Sequence, residues 1–334
     1  MSNPAREKAT IAVLGAGSWG STLAALLHGN GHDVRLWDHS AEQLRKLWEV
    51  GHPPGVPELK LPAIQLSNDL AETLEGVDGA VFVVPAQAYS DVCHKIRGLN
   101  VTPPLCVIAS KGIDLKTLRP LSDLLAEELP SSTIAVVSGP CIAREVAQGV
   151  PTSVVAACAD ANVATRLQGW FNSPTFRVYT QDDLVGVEYA GAYKNVIAIA
   201  AGICDGLGFG ANSKSALLTR GLAEMRRFVS AMGANDMTVV GLAGLGDLCV
   251  TCFSPHSRNR RFGEALGKGR KPDEITAEIG EVVEGAPTAH AICRIAAERK
   301  IDTPIAKAVR CVIDGECSAK EAVVRLMTRE LTSE

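Results

Sequence analysis

Short apolar runs and longer amphipathic stretches alternate through the first half of the chain. IAVL, DVRLW, GAVFVV, LCVIAS, IAVVSG and FRVYT are of strand length, rich in β-branched residues and mostly ended by glycine, proline or a charged residue. STLAALLHG, QAYSDVCHKIRG and LRPLSDLLAEEL lie between them and have the spacing of helices that cross over between parallel strands. This pattern predicts an α/β fold, a doubly wound and mostly parallel sheet. After FRVYT the strand-like runs stop and helical patterns continue to the end. The change of period puts a boundary near Val187, with an α/β domain over 1–187 and an all-helical domain over 188–334. The proline-rich stretch GHPPGVPELKLP, residues 51–62, reads as a loop in the position of a flap. GLGFGAN, residues 206–212, follows a helical pattern and reads as a bend between helices, not as a nucleotide loop.

Composition agrees with two domains, since 334 residues at 46% hydrophobic exceed what one core usually serves. The net charge of −4 is spread over mixed signs, which argues against nucleic-acid or membrane-surface binding and leaves room for a small anionic ligand in a local pocket. MSNPAREK is polar and leads directly into a strand, with no secretory apolar region, and no apolar stretch has bilayer-spanning length. A cytoplasmic protein without membrane insertion is expected. Ten cysteines lie between Cys93 and Cys317, mostly inside apolar segments such as PLCVIAS and SVVAACA, the pattern of reduced core thiols. Cys249 and Cys252 form a C-x-x-C with no second ligand pair, so core packing is the preferred reading and no metal is expected.

Chemistry enters at the first strand. Gly15, Gly17 and Gly20 follow it in G-x-G-x-x-G spacing and open a helix, and Asp38 lies at the end of the next strand. Gly15 makes the tight turn, Gly17 lets a pyrophosphate approach the backbone and Gly20 lets helix and strand pack closely. The helix amino terminus then presents its N–H groups to the phosphates. A Rossmann dinucleotide-binding unit is therefore expected, with NAD(H) or NADP(H) as cofactor. Asp38 favours NAD by accepting from the ribose hydroxyls and repelling a 2′-phosphate; His39 beside it weakens that preference if it turns a cation to the phosphate. Three further strands end at Pro85, Lys111 and Gly139, which should share the carboxyl edge of the sheet with the glycine loop. Lys111 there is either a solvated strand-end lysine or a ligand contact.

The second half has isolated polar residues in apolar surroundings. In YAGAYKNVIAIAAG the helical neighbours of Lys194 are Ala190, Ile197, Ala198 and Ala201, so no polar stripe carries the ammonium. It must snorkel out or be compensated inside. Asp247 stands alone in GLAGLGDLCVTC, either as a helix N-cap or as the partner of the lysine or of a substrate hydroxyl. SRNRRFG gathers Ser257, Arg258, Asn259, Arg260 and Arg261 at a helix start, which is either a solvated basic face or a phosphate site. VVEG supplies Val282 and Glu284.

With GAGSWG, SKG, SGP, GAYKNVIAIAAGI, DGLGFGAN, LTRGLAEM, GLAGLGDL, TCFSPHSRNRRFG and VVEG in order, nearly the whole chain resembles the bacterial soluble NAD(P)-dependent glycerol-3-phosphate dehydrogenases. The resemblance implies a Rossmann domain followed by a helical domain and reversible hydride transfer between NAD(P)H and dihydroxyacetone phosphate, giving sn-glycerol 3-phosphate for glycerophospholipid synthesis. It further implies Lys194 as proton donor and acceptor, Lys111 on both cofactor and substrate, and Asp247 beside the substrate hydroxyls. Ser257, Arg258 and Asn259 take the phosphate end, with Arg258 also reaching the cofactor. Ser18, Trp19, His39, Ala143, Val282 and Glu284 match cofactor contacts, and Gly139 and Cys141 match substrate contacts. Cys141 stands where many relatives carry Ser or Thr, a poorer donor in their place. Family habit implies a homodimer. The competing readings are another hydroxyacid or ketoacid reductase on the same two-domain plan and a dinucleotide-sensing module that does no chemistry.

Overall fold

The computed structural model describes residues 7–53, 55–99 and 101–331, so most of MSNPAREK and Pro54 of the 51–62 loop lie outside the described residues. Eight strands form one sheet: β1 Thr10–Leu14, β2 Asp33–Trp37, β3 Gln65–Ser67, β4 Gly79–Phe82, β5 Leu105–Ile108, β6 Thr133–Ser138, β7 Thr152–Ala157 and β8 Phe176–Gln181. Their order is β3-β2-β1-β4-β5-β6-β7-β8, and every neighbouring pair is parallel except β6 with β7. The sheet is thus mostly parallel and doubly wound, reversing direction between β1 and β4, where the carboxyl ends of the strands open a crevice. β1, β4 and β5 are buried almost throughout, which explains why their sequences are continuous apolar runs and do not alternate. β3 has one exposed and two half-exposed residues and carries almost no pattern, and β7 was hidden in an apolar cysteine-bearing segment; neither is legible from periodicity.

The expected crossover helices are present as Ser18–Gly29, Tyr89–Gly98 and Leu121–Glu128. Ser18–Gly29 and the helix Ala161–Phe171 share a core with the sheet that includes Ile11, Val13, Leu23, Leu27, Val81, Val107, Leu167 and Phe171, while Tyr89–Gly98 buries Val92, Cys93 and Ile96 and Leu121–Glu128 buries Leu121, Leu124 and Leu125. The 51–62 segment is a closed loop whose ends meet through Leu61 N–H on the Gly51 carbonyl at 2.9 Å. Val56 and Leu59 are buried beneath it, and Glu58 pairs with Arg144.

The chain forms two compact units. The sheet-bearing unit runs up to Lys111 and resumes over Pro120–Val185; the helical unit comprises Gly112–Arg119 and the chain from Gly186 on. The division thus falls inside the helix Leu184–Gly206, two residues before the position where the period changes. The 112–119 excursion has no local signature. Ile113 and Asp114 are buried, and Arg294 donates to the Leu115 carbonyl at 2.8 Å, so a contact far along the chain holds the segment in the helical unit.

In that unit the helix Leu184–Gly206 is buried without a break from Gly186 to Cys204. A helix surrounded on all sides needs no polar stripe, which accounts for its nearly uniform apolar sequence. Tyr189 and Tyr193 meet Phe228 edge-on, with ring centroids 5.5 and 5.2 Å apart. Tyr193 also donates to Glu224 at 2.7 Å, and the Glu224 carboxylate accepts from Ile305 N and Ala306 N at 2.8 and 2.9 Å. Glu224 thereby caps the helix Pro304–Ile313 from a neighbouring helix, satisfying amino-terminal N–H groups that no cap residue of its own serves.

The helix Arg258–Gly267 approaches the buried helix backbone to backbone. Gly202 and Gly206 on one and Gly263 and Gly267 on the other each recur four residues apart, so both helices present a glycine face. A Cβ on Gly202 would overlap the Arg260 carbonyl oxygen, and one on Gly263 would overlap that of Ile199. This seam sets the spacing between Lys194 on one helix and Ser257–Asn259 at the start of the other. Among the described residues no helix is long and apolar enough to cross a membrane. Gly263→Ala should destabilise the protein by about 1–3 kcal/mol, the usual cost of overpacking, seen as a lower urea midpoint; an unchanged midpoint would contradict backbone contact at this seam.

Candidate active site

Each unit carries its own group of functional side chains. In the sheet-bearing unit the glycine turn joins β1 to the helix Ser18–Gly29. Gly15 has φ +116° and lies against the Val83 backbone, so a side chain there is both strained and blocked. A Cβ on Gly20 would overlap the Gly15 carbonyl oxygen, which makes Gly20 the residue that lets helix and turn close on each other. Apart from its chain neighbours, no atom of the described residues lies within 4 Å of a Cβ built on Gly17, the N-cap of the helix. The helix has no side-chain cap and no acid in its first turn. Open space over uncapped N–H groups is the cradle an anionic pyrophosphate requires, so the residues present fit a dinucleotide. Ser18 and Trp19 begin this helix and are half-buried.

Asp38 follows β2, as the spacing predicts, and its carboxylate is turned into the protein. One oxygen accepts from Ala16 N at 2.9 Å and Gln43 Nε2 at 3.3 Å; the other accepts from Ser40 N at 3.0 Å and lies 3.1 Å from His39 Nδ1. Asp38 therefore braces the glycine turn and holds Ser40, the N-cap of the helix Ala41–Val50, and any discrimination at a ribose competes with those bonds. The His39 side chain is 76% exposed.

Pro85, Lys111 and Gly139 follow the parallel strands β4, β5 and β6 and stand on the same carboxyl edge. Ser110 Oγ donates to the Val84 carbonyl at 2.6 Å, tying two of these ends together. Lys111 is half-buried, not a free solvated lysine: its Nζ donates to the Gly139 carbonyl at 3.0 Å and lies 3.6 Å from Cys141 Sγ. Ala143 opens a short helix just beyond.

In the helical unit Lys194 does not snorkel. It is 6% exposed, and its ammonium donates to Asp247 Oδ1 at 3.0 Å and Thr251 Oγ1 at 2.7 Å. Of the two readings of Asp247 the structure shows the lysine partner: Gly246 is the N-cap of the helix Asp247–Phe253, and Asp247 lies inside it. A single π-helical turn, Leu242–Gly246, immediately precedes it. Thr251, one turn on, donates to the Asp247 carbonyl oxygen at 2.6 Å while accepting from the lysine. The i, i+4 spacing of Asp247 and Thr251 was the only available signal for this threonine.

The arginine cluster is divided. Arg260 is taken up by Asp205, its Nε 2.7 Å from Oδ2, and Asp205 also holds Lys214. Arg261 is exposed, and Arg258 is half-exposed beside Glu281 at 3.3 Å. Ser257 caps the helix by accepting from Arg260 N at 3.2 Å. Asn259 is buried, donating to Asn195 Oδ1 and accepting from Gly285 N, each at 2.9 Å. That chain links the lysine helix, the arginine helix and the turn carrying Glu284; Asn195 was not singled out by the sequence. Val282 is exposed and Glu284 half-buried. Burial pushes the Cys252 thiol up to about 12 and the Cys249 thiol upward too, which keeps both protonated.

Sequence models described as the NAD-dependent glycerol-3-phosphate dehydrogenase N-terminus and C-terminus match residues 10–164 and 183–324. The chain is 43% identical over 326 residues to a protein of Chlorobium phaeobacteroides (strain BS1) named glycerol-3-phosphate dehydrogenase (NAD(P)+), covering 96% of this chain and 97% of that one. A protein of the same name from Geobacter sulfurreducens is 45% identical over 329 residues, 97% of this chain and 98% of the other. The crystal structure of glycerol-3-phosphate dehydrogenase from Coxiella burnetii superposes with a TM-score of 0.93 at 38% identity, covering 96% of this chain and 99% of that one. By the residues its two sequence models match and the near full-length identity to these relatives, the chain belongs to the NAD-dependent glycerol-3-phosphate dehydrogenase family.

Proposed function

We propose that this chain catalyses reversible hydride transfer between NAD(P)H and dihydroxyacetone phosphate, giving sn-glycerol 3-phosphate for glycerophospholipid synthesis. The observation that carries this reading is the buried Lys194 ammonium held by Asp247 and Thr251. The dinucleotide, when bound, supplies or accepts the hydride. A ketone carbon that gains a hydride leaves negative charge on its oxygen, and Lys194 provides the positive charge and the proton that oxygen needs. Two of its three N–H bonds are directed to Asp247 and Thr251, which fixes where the ammonium sits before substrate arrives. In the reverse direction the same nitrogen takes the hydroxyl proton.

Substrate is anchored away from the reacting carbon. Arg258 offers paired guanidinium donors to a phosphate, and Ser257 and Asn259 stand beside it at the helix start. Asp247 meets the substrate hydroxyls, and Lys111, Gly139 and Cys141 contribute contacts at the sheet edge. The glycine turn with Ser18 and Trp19 holds the pyrophosphate, and Asp38, His39, Pro85, Ala143, Val282 and Glu284 complete the dinucleotide contacts, with Lys111 and Arg258 reaching it too. The working protein is a cytoplasmic homodimer. The names borne by the relatives favour this activity over another hydroxyacid or ketoacid reductase.

The purified protein should oxidise NADH or NADPH with dihydroxyacetone phosphate and not with α-keto acids; preference for a carboxylate substrate overturns the reading. Lys194→Ala should keep dinucleotide binding by fluorescence titration and lose about 10²–10⁴-fold in kcat, the usual worth of a positioned acid–base group. Near-normal turnover excludes the role. Arg258→Ala should weaken kcat/KM for the phosphorylated substrate by roughly ten- to hundredfold, corresponding to one charge-assisted hydrogen bond. Unchanged steady-state constants would remove Arg258 from the phosphate site.

A further inference from the structure

The names of the relatives, NAD(P)+, leave the choice between the two dinucleotides to each chain's own residues. The residue that ends the second strand of a Rossmann unit meets the adenosine ribose, where NADP carries a 2′-phosphate and NAD a hydroxyl. Here that residue is Asp38, its side chain 8% exposed. Two backbone N–H groups fix the carboxylate in place, Ala16 N at 2.9 Å and Ser40 N at 3.0 Å. Its other contacts are with side chains that can turn away, Gln43 Nε2 at 3.3 Å and His39 Nδ1 at 3.1 Å. A ribose hydroxyl can take their place as a donor. A phosphate dianion has no proton to donate and meets a fixed negative charge.

The cations of β2 and of the helix Ala41–Val50 are all engaged elsewhere. Arg45 is held by Glu42 through Nε at 3.0 Å and by Glu49 through Nη1 at 2.6 Å, and Lys46 lies 3.4 Å from Glu42. Arg35 donates through Nη1 to the carbonyls of Glu72, Thr73 and Glu75. The start of the helix is no better for an anion, since Ser40 Oγ accepts from Gln43 N and Glu42 puts a carboxylate in the first turn. We infer that Asp38 is the coenzyme-specificity residue of this chain and makes it select NAD(H) over NADP(H). Selection is by exclusion: the carboxylate repels a 2′-phosphate, and Glu42 and Glu49 keep Arg45 and Lys46 from neutralising it. It rests on the dehydrogenase reading above only in taking the glycine turn as a dinucleotide site.

The test reads binding in the intact protein and needs no turnover. Titration with NADH and with NADPH, followed by nicotinamide fluorescence, should give a Kd for NADPH at least about tenfold above that for NADH, the worth of one like-charge contact near a protein surface. That ratio should shrink as salt is raised from about 0.01 M to about 1 M, because screening relieves a repulsion. A site that grips the 2′-phosphate with a cation would respond in the opposite sense. Asp38→Asn keeps an acceptor for Ala16 N without the charge and should lower the ratio by about tenfold. A ratio below about ten in the unaltered protein, one that salt leaves unchanged or raises, or one indifferent to Asp38→Asn overturns the inference. Selective NADH binding with no turnover of dihydroxyacetone phosphate would instead end the dehydrogenase reading and leave the role of Asp38 standing.

Discussion

A charged nitrogen in the middle of a helix with no solvent face is the constraint on which the helical unit depends. Taking an ammonium out of water costs several kcal/mol even after the protein relaxes, and pairing it with a carboxylate only partly offsets this. Asp247 and Thr251 provide that offset for Lys194, and both are themselves buried. A well-packed apolar trio would be no less stable in principle, so stability does not account for the arrangement. It places one oriented positive charge in apolar surroundings, where its field on a developing negative charge is less screened than in water.

Much of the surrounding packing serves that placement. The buried helix is held on one side by the Tyr193–Glu224 hydrogen bond and the Phe228 ring, and on another by the glycine seam with the helix Arg258–Gly267. Asn195 and Asn259 run along the same contact and reach the turn at Glu284 through Gly285 N. The helix that carries the lysine, the first turn of the arginine helix and the VVEG turn are therefore tied together by hydrogen bonds.

The sheet-bearing unit meets the opposite requirement with the same economy. There the groups that must be kept ready are neutral donors at a helix start, and the protein leaves them uncapped where Gly17 clears the space above. Asp38 stabilises the turn from beneath through Ala16 N, so the acid expected at the ribose is also part of the frame. Lys111 and Gly139 are joined at the adjacent strand ends, and Cys141 completes that group with a thiol.

Local sequence alone determined the parallel strands β1, β2 and β4 to β6, their crossover helices and the glycine turn, because those depend on periodicity and on residues whose backbone preferences act within a few positions. It also marked Lys194 and Asp247, since a lone charge in an apolar run is conspicuous without coordinates. It did not mark Thr251 or Asn195, small polar residues whose part is assigned only by a partner some sixty positions away in the chain. Nor did it separate Arg258 from Arg260, because Asp205, which claims one of them, comes from another helix. The 112–119 excursion, the short β3 and the reversed β7 follow the same rule. Tertiary structure decided them, for burial and pairing are properties of what lies across the fold and leave no period along the chain.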